Sequence, residues 1–176
     1  MILMSRFSRA AAIVDGLEAS QRRRLESACR RIQKAQQAVL LNGAVYLEYC
    51  GRVCRGLCCR NLRVDEIVSL YDFILVLASA PQMADLIAGC ARAARGLHNA
   101  DCVFLKDGRG PCLFPEDLKP ERCIASFCFN TRLIRRELSC LRTSFTRLVL
   151  LVRWWSLLRL GRRCRVDSGG LSRLEG

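Results

Sequence analysis

Residues 49–61, YCGRVCRGLCCRN, place four cysteines within ten positions: Cys50, Cys54, Cys58 and Cys59. A second group of four, Cys102, Cys112, Cys123 and Cys128, lies in a later segment rich in turn residues. The remaining cysteines, Cys29, Cys90, Cys140 and Cys164, are scattered. Cys29 and Cys90 fall inside expected helices and read as small apolar helix residues. Adjacent Cys58 and Cys59 project in different directions in most backbone geometries, so they are expected to play different roles.

Outward from that stretch, the chain has 176 residues, enough for one domain with a real core. Its 51% hydrophobic content excludes a disordered body. The net charge is +13, unevenly spread. Residues 131–176 hold eleven basic against three acidic side chains, while the cysteine-rich middle is near neutral. Lysine occurs only as Lys34, Lys106 and Lys119; every other basic side chain is arginine. A basic flank suits an acidic protein partner, nucleic acid or an anionic membrane surface, and equally a solvated helix face.

The periodicity predicts a mainly α fold: a small helical domain around an irregular Cys-rich metal-binding loop region. A helix is expected over 15–49, capped by Asp15 with Glu18 as a capping box, with Gly43 as a blemish and Gly51 and Gly56 as breakers. Residues 65–80 read as a buried helix, apolar on more than one side, and 81–95 as another that begins at Pro81 and ends at Gly96. Residues 96–130 carry proline, glycine and the second cysteine group. Asp107-Gly108 signals a turn there, with a short strand or hairpin around CVFLKDGRGPCLF, or otherwise a loop.

The last helix is expected over 130–160. Leu138, Leu141, Phe145, Leu148 and Val152 form its apolar stripe. Arg132, Arg135, Arg136, Arg142, Arg147 and Arg153 lie on the opposite arc, and Trp154 and Trp155 extend the apolar surface. Residues 1–160 thus read as one domain with its cysteine core at about 48–130, and 161–176 as a mobile tail. The most apolar window, 145–160, contains three arginines and is too short for a membrane span. The first sixteen residues lack the pattern of a secretory leader, so a cytoplasmic, reducing setting is expected, in which clustered cysteines bind metal or do redox work.

Thiolates are soft ligands, so an all-cysteine set favours zinc or an iron–sulfur cluster over calcium or magnesium. His98 is the single histidine and at most an odd ligand. Both gaps in the first group are three residues and no C-x2-C pair occurs, which weakens a zinc ribbon. The thiol count and the missing knuckle favour a [4Fe–4S] cluster over zinc.

Cys-x3-Cys-x3-Cys-Cys at 50–59, then Cys102-Val103-Phe104-Leu105, Gly110-Pro111-Cys112 and Lys119-Pro120-Glu121-Arg122-Cys123, resembles the YkgJ-like family of cysteine-cluster proteins. That family is described as zinc- or iron-chelating. The resemblance covers roughly 48–130 and implies Cys128 as the closing cysteine. The chain departs from the family pattern by one extra residue between Cys54 and Cys58, and by Lys119 in place of arginine. The expected metal ligands are Cys50, Cys54, Cys58, Cys59, Cys102, Cys112, Cys123 and Cys128.

Enzyme readings fare worse. The near match to the C-x3-C-x2-C of radical S-adenosylmethionine enzymes lacks their strand–helix alternation and has the wrong second gap. Flagellin lysine methylases carry a comparable cluster in a longer chain, which leaves a methylase-like component as an alternative. A histidine triad would have to use His98, and the acid pairs Asp65/Glu66 and Glu116/Asp117 read as helix-start and loop residues. The further alternative is a structural zinc module whose arginine-rich C-terminal helix binds a partner, with protein ranked above nucleic acid because the aromatics sit among the leucines.

Overall fold

The computed structural model describes residues 2–53, 57–60, 62–94, 101–108, 111–126 and 131–167, with side chains omitted at 50–52 and 159–167. The protein is mainly helical, and no β-strand forms among the described residues. The α-helices are α1 (Ile2–Asp15), α2 (Ala19–Asn42), α3 (Ala44–Arg52), α4 (Val64–Ile67), α5 (Leu70–Ser79), α6 (Ala84–Ala93), α7 (Glu121–Ala125) and α8 (Arg135–Asp167). Two long pairings organise them: α2 packs along α8, and α1 along α5.

The sequence reading assigned no element before residue 15, yet α1 is a full helix. Leu3, Phe7, Ala10 and Val14 recur at helical spacing and are buried. Arg6 on the same helix donates to the main-chain carbonyls of Asp65 and Val68, the latter at 2.9 Å, and so closes the C-terminal end of α4. Asp15 therefore ends a helix rather than starting one. The start of α2 lies three residues later, where the Glu18 N–H donates to Gln21 Oε1 at 3.2 Å.

The expected helix over 15–49 is also divided at Gly43. Its N–H still bonds to the Val39 carbonyl at 2.8 Å, but its ψ of 10° turns the chain into α3. A Cβ there would stand 2.5 Å from the Val39 carbonyl oxygen and 3.4 Å from Ile134 Cδ1. Backbone cannot yield as a side-chain tip can, so Gly43→Ala should destabilise the fold by roughly 1–3 kcal/mol, read as a lower urea midpoint. Gly51, expected as a breaker, lies within α3, which continues to Arg52.

The expected helix over 65–80 is two helices. Ser69 caps α5 in a reciprocal box with Asp72: Asp72 Oδ2 accepts from the Ser69 N–H and Oγ, both at 2.7 Å, and the Asp72 N–H donates to Ser69 Oγ at 3.3 Å. Phe73, Ile74, Leu75 and Val76 follow, all buried, in keeping with a helix apolar on more than one side. A 3-10 turn over Pro81–Met83 leads into α6.

No single helix among the described residues is long and apolar enough to cross a membrane. Only α5 with the segment Pro81–Ala93 reaches that composition, as a pair bent by 119° whose first member is core.

The described residues between α6 and α8 form short turns and the helix α7. Asp107 and Gly108 adopt left-handed φ of 53° and 70°, the turn expected of Asp-Gly. The expected hairpin reduces to one antiparallel bridge between Leu105 and Cys112. An aromatic column fastens this segment to the body. Phe7 meets Phe73 edge-on at 5.6 Å, Phe73 meets Phe104 at 6.4 Å, and Phe104 meets Phe114 at 4.8 Å.

The expected stripe on α8 is buried in full, from Leu138 to Val152. A 3-10 turn over Arg132–Ile134 precedes the helix, which extends to Asp167, past the expected end at 160.

Candidate metal centre

The cysteine segments are held by main-chain bonds and by polar side chains from distant helices. The Cys102 N–H donates to the Cys59 carbonyl at 2.7 Å, which joins the two cysteine groups directly. The Lys106 N–H bonds to the Pro111 carbonyl at 3.0 Å and the Leu113 N–H to the Phe104 carbonyl at 2.7 Å, which places Cys112 opposite Leu105.

Cys123 lies on α7, whose approach is fixed from two sides. Gln36 of α2 is fully buried; its Nε2 donates to the Lys119 carbonyl at 2.7 Å and its Oε1 accepts from the Lys119 N–H at 3.0 Å. Asp72 Oδ1 accepts from the Glu121 N–H at 2.9 Å, at the N-terminus of α7. Burial raises the Asp72 carboxyl from its ordinary range, opposed by its bonds from Ser69 and Glu121.

Cys59, Cys102, Cys112 and Cys123 form one electrostatic group. Burial raises the Cys59 thiol, Cys112 raises it further, and Lys119 lowers it. Cys102 is pushed up to about 11 by burial first, against a bond from the Phe104 N–H, with Cys112, Cys59 and Cys90 adding to the rise. Cys112 is raised by burial and eased by the Phe114 N–H and by Lys119.

Cys123 leaves part of its residue surface exposed, while its thiol stands in crowded surroundings. Burial is the main cause of its upward shift, followed by Cys112, Cys102, Cys59 and Asp72. The repulsion arises only between thiolates, so a bound cation that relieves it would also release the thiol protons. The donor chemistry therefore fits a thiophilic metal. Among the described residues, however, no three His, Cys, Asp or Glu side chains are disposed to hold a metal ion together. Coordination would require the thiols to draw closer.

Of the other expected ligands, Cys58 is exposed and Cys50 lies on α3 with its side chain outside the description. Cys54, Cys128 and His98 lie outside the described residues. Cys58 is exposed and Cys59 half-buried, with the Cys59 thiol raised by burial and by Cys112.

Cys90 lies inside α6, as expected, and is the last and smallest of the causes that raise the Cys102 thiol. Two participants were missed from sequence. Lys119, noted only as a departure from a family pattern, moderates Cys59 and Cys112. Gln36 had a visible signal, a polar residue in register with Ile32 and Val39 on the buried face of α2. The acid pairs are helix-start residues: Asp65 and Glu66 open α4, and Asp117 accepts from Gln33 at 3.0 Å.

Comparison with family models, curated proteins and solved structures finds no match to the chain.

Proposed function

We propose that this chain is a metal-binding protein whose cysteines hold an iron–sulfur cluster, serving electron transfer, cluster or metal handling, or an accessory role, in a cytoplasmic setting. The observation that carries the reading is the main-chain bond from the Cys102 N–H to the Cys59 carbonyl at 2.7 Å, which joins the two cysteine groups, with Cys112 and Cys123 near enough to bear on the same thiols. Cys50, Cys54, Cys58 and Cys128 complete the proposed ligand set. A bound cluster would supply one-electron chemistry tuned by its thiolate ligands and their burial. The chain's own contribution is positional: Gln36 and Asp72 hold the Lys119–Cys123 segment, and the Phe104 column shields one side.

A structural zinc site is the second reading. Cys59, Cys102, Cys112 and Cys123 would supply the four thiolates of a closed tetrahedral site. Anaerobic purification with iron, sulfide, zinc and a visible spectrum separates the two. Iron and sulfide in comparable amounts with broad visible absorption are the expected result. Stoichiometric zinc in a colourless protein overturns the cluster in favour of zinc, and absence of both refutes metal binding. Loading zinc into the metal-free chain should release protons at neutral pH, because Cys102, at about 11, is protonated there. The proposed partner surface is the exposed arginine-rich face of α8.

A further inference from the structure

The outward face of α8 changes character along its length. At about 100° per residue, Arg136, Thr143, Arg147, Leu150 and Trp154 share one arc, opposite the buried stripe. The first half of this arc, with Arg132 of the preceding turn, is mostly basic and hydroxylated: Arg132, Arg135, Arg136, Ser139, Thr143 and Arg147 line an open groove that also includes Leu133 and Glu137. The second half is apolar, with Leu150, Trp154, Leu157 and Leu158 all exposed. The adjacent tryptophans divide: Trp155 is 4% exposed and locked into the core, whereas Trp154 is 59% exposed and faces away from it. Beyond Leu158 the helix continues to Asp167 through a sequence containing Arg159, Arg162, Arg163 and Arg165. No acidic residue occurs between Glu137 and Asp167.

We propose that this face of α8 lies on an anionic lipid surface, with Trp154 and its neighbouring leucines entering the headgroup boundary and the arginines meeting lipid phosphates. An apolar strip with a tryptophan, bracketed along one helix by arginines, is the pattern of a helix lying in the membrane interface. Arginine stems extend along apolar surface while their heads reach phosphate. A second copy would cover the apolar strip only by bringing the arginines of two strongly basic helices close together, which repulsion opposes. Nucleic acid would use the arginines and leave the leucines in water. This inference is independent of which metal the cysteines hold.

Vesicle sedimentation of the full chain tests it. Pelleting with mixed phosphatidylcholine–phosphatidylglycerol vesicles, weak pelleting with phosphatidylcholine alone, and a blue shift of tryptophan emission are expected. The Trp154→Ala/Leu157→Ala variant should bind at least roughly tenfold more weakly, since it removes two apolar side chains from the contact. Both residues are exposed, so the variant should keep its helical circular dichroism and melting temperature. Three results overturn the proposal: no pelleting with anionic vesicles, equal pelleting of the variant and the parent chain, or a lipid-free dimer that buries Trp154. Tight, salt-sensitive binding to RNA that leaves no chain on the vesicles in competition also overturns it.

Discussion

Cys123→Ala is expected to abolish the proposed metal binding, while Cys140→Ala and Cys29→Ala retain it. Cys123 is the thiol most embedded in the group, influenced by Cys112, Cys102 and Cys59 together. Its loss removes the one thiol on α7. Cys140 is exposed on α8, away from that group, and Cys29 is buried on α2. Truncating Cys29 removes only a small apolar group, so its cost should be about 1 kcal/mol, with metal content unchanged.

Because a metal that binds only the folded chain adds its binding energy to stability, Cys123→Ala should also melt earlier than Cys29→Ala. The measurements are metal content per chain and a thermal melt for each variant. Cys54→Ala is expected to behave as Cys123→Ala. Equal metal in Cys123→Ala and Cys29→Ala would refute the ligand assignment.

Phe73→Ala should have the largest effect on the fold itself. The ring is wholly buried on α5, and it touches Phe7 of α1 on one side and Phe104 of the cysteine-bearing segment on the other. Truncation loses the burial of the ring and leaves a cavity at the junction of three segments, a loss of roughly 3–5 kcal/mol. Set against a total stability of roughly 5–15 kcal/mol, that is enough to leave a substantial unfolded population. Phe73→Leu, which refills much of the volume, should recover most of the loss. Chemical denaturation of the two variants checks the order; a shift in Phe73→Ala no larger than in Phe73→Leu would show that the column is not a structural joint.

Legibility varied with the range of the interaction that decides each element. The buried stripe of α8 and the left-handed turn at Asp107-Gly108 were readable, because each rests on spacing or on a backbone preference within a few residues. The Ser69–Asp72 capping box was equally local and was overlooked because the apolar run on either side looks continuous. Helix α1 was missed because a short apolar stripe among arginines shows its purpose only when α5 is there to receive it. Gly43 looked like a flaw in one helix; its necessity comes from the Val39 carbonyl, 2.5 Å from where a Cβ would stand, at the turn into α3. Trp154 and Trp155 were grouped together, although successive helical positions diverge by about 100° and burial separates them.

The sequence by itself determined the helical class, the two cysteine groups, the single histidine and the concentration of arginine beyond residue 130. Those properties reside in composition and in local periodicity. Only the tertiary structure decided which described thiols lie near one another and that Lys119 lies near Cys59 and Cys112. The reason is that the cysteine segments have little regular structure of their own to orient them. Their positions are inherited from Gln36, 83 residues from Lys119, and from Asp72, 49 residues from Glu121. Both side chains are themselves buried, so they are placed by the helix packing that no local pattern encodes.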